Sequence, residues 1–133
     1  MVVFEKEVNI QMSNSGEKLF NQLCTSCHMI NEDYIGPAMS GILERRSPEW
    51  IMNMILNPIQ MLEEDSIAIE LLERYNFEYM YNQNLLEEEA REILEYFRIL
   101  CQHMIIYVEN VEIGLNIFNQ CRVLHLKLAR TAK

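Results

Sequence analysis

Cys24-Thr25-Ser26-Cys27-His28 is the stretch on which the reading of this chain turns. Two thiols stand one short turn apart, and an imidazole follows directly on the second. The pattern C-x-x-C-H is the attachment signature of a c-type haem. The spacing has a chemical reason: two thiols that add to two vinyl groups on one porphyrin edge must be joined by a short piece of chain. The next residue then lies beneath the ring with a nitrogen to offer the iron, and an axial ligand of this kind sets the iron's redox range. Two other chemistries draw on the same residue types. Cys24, Cys27 and His28 would make most of a zinc site if Cys101, His103 or Cys121 completed it. A dithiol redox pair expects a preceding strand in a βαβ setting, and nothing before Cys24 reads as a strand.

Working outward, helix signals surround the motif. Ser13-Asn14-Ser15 offers N-cap residues, followed by Gly16 and Glu17. A short helix then carries Leu19, Phe20 and Leu23 into Cys24. Gly16 and Phe20 are one turn apart and share a face. A glycine inside a helix costs stability, so close approach of a second helix is expected there. Residues 31–40 read as a loop around Gly36-Pro37. A ligand histidine usually donates its other ring N–H to a fixed acceptor, and the Pro37 carbonyl is the candidate acceptor for His28.

Ser47-Pro48-Glu49 is a helix start, with Trp50, Ile51, Met54 and Ile55 at helical spacing and Asn57-Pro58 as the stop. A further helix is expected over 63–76, capped by Asp65 or Ser66, then a non-periodic loop through Met80 to Asn84. The strongest helix opens at Leu85, with Glu87, Glu88 and Glu89 at its start and Arg91 and Arg98 later, as the helix dipole prefers. The first hundred residues hold no convincing strand, so the fold class is all-α. Residues 1–12 alternate weakly and read as an arm outside the core, 13–100 as the domain, and 101–133 as a C-terminal extension.

The chain has 133 residues and a net charge of −9, which argues against nucleic acid and for a redox partner with a basic docking patch. No apolar run approaches the length of a membrane span. Residues 1–12 lack the basic start and apolar middle of a signal peptide, although haem is attached to C-x-x-C-H outside the cytoplasm. A periplasmic or otherwise extracytoplasmic location is therefore expected.

Taken in order, these features resemble the class I cytochrome c family, specifically the small bacterial monohaem type, over residues 13–100. Gly16 and Phe20 stand eight and four residues before Cys24, as the family's helix-crossing glycine and aromatic do. Ile93 and Tyr96 match their partners on the last helix. Arg45-Arg46-Ser47-Pro48-Glu49-Trp50 resembles the family's helix start after the haem loop. Tyr75-Asn76, then Met80 and Asn82-Gln83-Asn84-Leu85, resembles its distal-ligand segment. The resemblance implies one covalent haem c on Cys24 and Cys27, crossing N- and C-terminal helices, and His28 and Met80 as iron ligands. Soft thioether sulfur suits ferrous iron and raises the potential. Tyr81 stands where the family usually has proline. His103 is the alternative sixth ligand. Trp50, Tyr75, Tyr79 and Tyr96 are candidates for haem-edge contacts or propionate hydrogen bonds, with a plain core position equally expected for Trp50 and Tyr96. Met39, Met52, Met54, Met61 and Met104 read as core or haem-packing residues.

In the extension, Gly114-Leu115-Asn116-Ile117-Phe118-Asn119-Gln120-Cys121 echoes Gly16 to Cys24, and His125 follows four residues after Cys121, as His28 follows Cys24. This resembles the opening of a second such domain with Leu124 in place of its second cysteine, degenerate or truncated. A second haem at Cys121 and His125 is not expected, because eight residues beyond His125 are too few to enclose it. Cys101 and Cys121 would form a disulfide if close.

The expected function is one-electron transfer between larger respiratory redox proteins by Fe(II)/Fe(III) cycling, not catalysis by this chain alone. The alternatives are a cytochrome domain or subunit of a larger oxidoreductase, such as a membrane terminal oxidase or nitrogen-oxide reductase; a haem sensor or peroxidase with Met80 unbound; and a structural zinc module.

Overall fold

The computed structural model describes residues 2–109, with side chains described for residues 2–100. The side chains of Cys101, His103 and Met104, and the whole segment 110–133 with Cys121 and His125, lie outside it. The described residues form helices and loops without strands: α1 (Ile10–Leu23), α2 (Ile42–Arg45), α3 (Pro48–Leu56), α4 (Pro58–Glu64), α5 (Ser66–Arg74) and α6 (Glu87–Glu109). The all-α expectation holds.

The packing of α1 on α6 organises the rest. A Cβ on Gly16 would lie 2.0 Å from the Glu92 carbonyl oxygen and 2.7 Å from the Ile93 nitrogen. Only a residue without a side chain lets the two backbones approach so closely. Ser13, Gly16 and Phe20 are the buried residues of α1 and lie on one helical face. Phe20 meets Tyr96 and Phe97 of α6 with ring centroids 5.7 Å away in each case. The core continues through Met39, Leu43, Ile51, Met52, Ile93 and Leu94. A second, smaller cluster of Leu62, Ala68 and Leu72 sits under α4 and α5, with Met54, Met61 and Met80 packed on it.

Several local readings need correction. Helix α1 starts at Ile10, and Asn9 is its cap, accepting from the Met12 amide at 3.0 Å. The serine-rich stretch does not cap, because Ser13 is needed on the face buried with Gly16 and Phe20. Asn57-Pro58 does end α3, yet Pro58 also opens α4 at its first turn, where proline's missing N–H has no helical partner to lose. The helix expected over 63–76 is α5, capped as expected by Asp65 through the Ile67 and Ala68 amides, while α4 before it was not expected. Ser47 caps α3 as expected. Helix α6 begins at Glu87.

Part of the N-terminal arm packs on the core. Val2 and Phe4 pack against the main cluster. The Val2 amide donates to Glu49 Oε1 at 2.7 Å, and Arg98 Nη2 donates to the Glu5 carbonyl at 2.8 Å. The Arg91 and Arg98 guanidiniums lie 4.8 and 4.5 Å from the Phe4 ring centroid. Both arginines also donate to Glu95, which is 2% exposed. A carboxylate buried so deeply is tolerated because its oxygens are matched by fixed donors.

Replacing Gly16 with alanine forces the two helices apart. The haem-loaded Gly16→Ala variant should lose about 2–3 kcal/mol of stability in urea titration, the usual scale for overpacking. An unchanged midpoint would mean that α1 and α6 do not cross at this point.

Candidate functional site

Helix α1 delivers the motif. Cys24 is its C-cap, with its amide on the Phe20 carbonyl at 2.9 Å. The amides of Cys27 and His28 then both donate to the Cys24 carbonyl, at 3.0 and 2.9 Å. This turn keeps the two half-buried thiols and the imidazole on one wall. His28 Nδ1 lies 2.9 Å from the Pro37 carbonyl oxygen. A carbonyl can only accept, so Nδ1 carries the hydrogen and Nε2 keeps its lone pair. Burial pulls the His28 pKa down, and the Pro37 hydrogen bond opposes that pull. The ring is therefore neutral at pH 7, the form that binds a metal.

The loop after His28 is built around this contact. The Gly36 amide donates to the Cys27 carbonyl at 2.8 Å, bringing the chain back under the ring. A Cβ on Gly36 would lie 2.6 Å from His28 Cε1, so glycine is required there for space. The Ala38 amide donates to Asp33 Oδ1 at 2.8 Å. Arg45 closes the loop from α2, with Nη2 on the Ala38 carbonyl at 2.8 Å and Nη1 on the Ser40 carbonyl at 2.6 Å.

The distal loop, 75–86, joins α5 to α6. Asn76 and Phe77 take left-handed backbone, with φ of 57° and 60°, and the Phe77 amide returns to the Leu72 carbonyl at 2.8 Å. The sharp reversal turns the chain away from α5, and Met80 packs back on the Leu62, Ala68 and Leu72 cluster. Asn82 Nδ2 donates to the Leu56 carbonyl at 3.2 Å, and its Oδ1 accepts from the Asn84 amide at 2.7 Å. The Tyr75 hydroxyl donates to Asp33 Oδ2 at 2.7 Å, tying this loop to the one that holds His28.

Between these loops lies an apolar cleft with about 1250 Å³ of empty space, part of it open to solvent. Its lining includes Cys24, Cys27, His28 and Pro37 from the motif side. Trp50, Tyr75, Tyr79 and Met80 line it as well, so these expected site residues reach one cavity. Phe20, Ile93 and Phe97 bring the main core to its surface. Tyr96 is absent from the lining and packs in the core. Two expected donors are already engaged: Trp50 Nε1 gives its hydrogen to Asp65 Oδ1 at 3.0 Å, and the Tyr75 hydroxyl to Asp33. Sequence reasoning missed Gly36 as a spacer, Asp33 and Arg45 as loop clamps, and Asp65 as the anchor of Trp50. Gly36 had a visible signal in its place before Pro37, and Asp65 was visible as a helix cap but not as a partner of Trp50.

The chemistry of the thiols separates the competing readings. Burial, with a smaller push from Cys27, raises the Cys24 thiol to about 11. A redox dithiol works through a lowered thiolate pKa, and the shift at Cys24 runs the other way. Among the described residues no three His, Cys, Asp or Glu side chains converge on a metal position. A flat apolar group joined at its edge to two thiols and facing a neutral imidazole fits the donors and the cleft.

The comparisons agree with that geometry. The family model described as Cytochrome c matches residues 13–100. Cytochrome c from Rhodothermus marinus is similar at 37% identity and a TM-score of 0.75, covering 77% of this chain and 88% of that one. An engineered form of it gives 36% identity and a TM-score of 0.74 over the same shares. The cytochrome c domain of the pp3183 protein from Pseudomonas putida gives 28% identity and a TM-score of 0.60, covering 70% of this chain and 94% of that one. Comparison with curated proteins gives no match.

Gly36→Ala should push the His28 ring off Pro37. The variant is expected to accumulate with less attached haem and with an altered visible spectrum. A spectrum and yield like those of the parent would show that the ring has room. Asp65 gives a pH test. The Trp50 N–H first, then the Ala68 amide, hold its carboxyl below the usual carboxylate range. A folded pKa below the unfolded one adds stability that is complete above the unfolded value, about 3.9, and is lost as pH falls through the folded value. The stability gap between the parent and Asp65→Asn should thus be widest near neutral pH and shrink below about pH 4. A gap independent of pH in chemical denaturation would remove the Trp50–Asp65 contact as a charge effect.

Proposed function

Because the chain belongs to the cytochrome c family, we propose that His28 and Met80 are the two axial ligands of its haem iron. The chain binds haem c covalently and is an electron carrier. Cys24 and Cys27 would be its thioether anchors. When bound, the haem supplies a reversible one-electron Fe(II)/Fe(III) couple.

The observation that carries the ligand reading is the His28–Pro37 hydrogen bond. It consumes Nδ1, fixes the tautomer and leaves Nε2 free on the wall of a cleft that Met80 also lines. Pro37 would act by orienting the imidazole and raising its basicity. Gly36 would keep the space under the ring open. Trp50 and Tyr79 would pack against the plate and exclude water, Trp50 held by Asp65 and Tyr75 turned toward Asp33. With His28 and Met80 both holding the iron, no position on it would be open to a substrate, which supports a carrier over an enzyme.

Ile35, Tyr79 and Tyr81 line the cleft and are 41%, 48% and 67% exposed, so the mouth of the cleft presents an apolar contact face. On a chain with a net charge of −9, this face suits a redox protein with a basic docking patch, brought to brief encounter by charge steering. A periplasmic setting in a respiratory chain fits that reading. Among the described residues no helix is long and apolar enough to cross a membrane.

Intact mass under denaturing, reducing conditions should exceed that of the 133-residue polypeptide by one haem. No excess would sink the thioether anchors. In the oxidised parent, a thioether-to-iron charge-transfer band is expected and should vanish in Met80→Ala. That variant should bind carbon monoxide quickly in its reduced state. Quick binding by the parent itself would remove Met80 as a tight ligand.

A further inference from the structure

The peptide unit that holds His28 is itself held from its other end. Pro37 and Ala38 share one peptide. Its carbonyl faces His28 Nδ1 at 2.9 Å, and its N–H donates to Asp33 Oδ1 at 2.8 Å. The second oxygen of the same carboxylate, Oδ2, accepts from the Tyr75 hydroxyl at 2.7 Å. Tyr75 is the C-cap of α5 and the first residue of the loop that carries Met80. One carboxylate therefore touches both ligand loops, which are far apart in sequence.

We propose that Asp33 is a positioning residue for the iron site, acting through the Pro37–Ala38 peptide on His28 and through Tyr75 on the Met80 loop. The proposal rests on His28 and Met80 being the axial ligands.

The two arms act differently. Hydrogen bonds linked in a chain polarise one another, and an anionic acceptor strengthens the first link. A carboxylate on the peptide N–H makes the peptide carbonyl a stronger acceptor. A stronger acceptor on Nδ1–H makes the imidazole a better donor to iron, which favours Fe(III) and lowers the potential. The second arm is mechanical. The Tyr75 hydrogen bond spans the two loops, so it limits how far the distal loop can swing. The groups that face the carboxylate are consistent with its staying ionised: the Ala38 amide, the Tyr75 hydroxyl, and the positive charges of Arg45 and Arg74. Asp33 is exposed, so solvent screens its direct field and the contact route through the peptide dominates.

The test uses the haem-loaded protein and three variants. Asp33→Asn keeps an acceptor for the Ala38 amide but removes the charge. Its midpoint should rise, shifting the electron-transfer equilibrium with a fixed partner about three- to tenfold toward the reduced protein, tenfold being about 59 mV for one electron. In the reduced protein, the His28 Nδ1–H proton resonance should move upfield as its hydrogen bond weakens. Glu78→Gln removes a charge at the cleft without touching the peptide, and should leave that proton in place. Tyr75→Phe cuts only the mechanical arm. It should leave the His28 proton unmoved and speed carbon monoxide binding to the reduced protein. The proposal is overturned if Asp33→Asn leaves the midpoint within about twofold and the His28 proton unmoved, or if Glu78→Gln moves both as far. A parent protein without the ferric thioether band would defeat the ligand reading and the proposal with it. A parent with the band and an inert Asp33→Asn defeats the proposal alone.

Discussion

The contact on which the rest of this molecule depends is the meeting of two backbones, Gly16 of α1 with Glu92 and Ile93 of α6. It is worth little as a bond. Its importance is geometric. The crossing fixes the line of α1, and the last residue of that line hands the chain to Cys24. The same crossing stacks Phe20 on Tyr96 and Phe97, and Phe20 and Phe97 are also part of the cleft lining. One close approach therefore sets both the anchor thiols and the surface against which a bound plate must rest.

From there the His28 and Met80 loops are built on different principles. The His28 side is held at short range. His28 is followed within ten residues by Asp33, Gly36, Pro37 and Ala38, and backbone bonds from Gly36 to Cys27 and from Met39 to Met29 close the loop on itself. Local closure carries a small entropic cost. The Met80 side starts on strained backbone at Asn76 and Phe77 and is tied down by side chains reaching elsewhere, Tyr75 to Asp33 and Asn82 to the Leu56 carbonyl. These contacts are partly exposed, so each is worth little on its own.

That difference also explains which parts were legible in the sequence. The motif, the helix-crossing glycine and the capped start of α3 declare themselves, because each is a local pattern with one physical meaning. Gly16 was expected to mark a close helix contact, and it does. The fold class followed from periodicity alone. Asn57-Pro58 was half read, since a proline that cannot continue one helix is well suited to begin the next. The arm was misread because Val2 and Phe4 are too few to show a period. Their burial depends on Glu49, Arg91 and Arg98, all distant in sequence. The clamping roles of Asp33 and Arg45 were invisible for the same reason, as was the hold of Asp65 on Trp50, although Asp65 was expected as a helix cap: a charged residue on a polar stretch has no spacing from which a distant partner could be inferred.

The chain's acidity sharpens this last point. With 20 acidic and 11 basic residues, arginines are scarce, and four of them stand at structural joints. Arg91 and Arg98 share Glu95 beside the Phe4 ring, Arg45 closes the His28 loop, and Arg46 lies 5.3 Å from the Trp50 ring centroid. A planar guanidinium can stack on a ring while giving several hydrogen bonds in fixed directions, which lysine's rotating ammonium cannot match. The scarce cations are thus drawn to places where geometry is demanded, while most of the acids lie on the surface. The negative field that a basic redox partner would meet follows from this division.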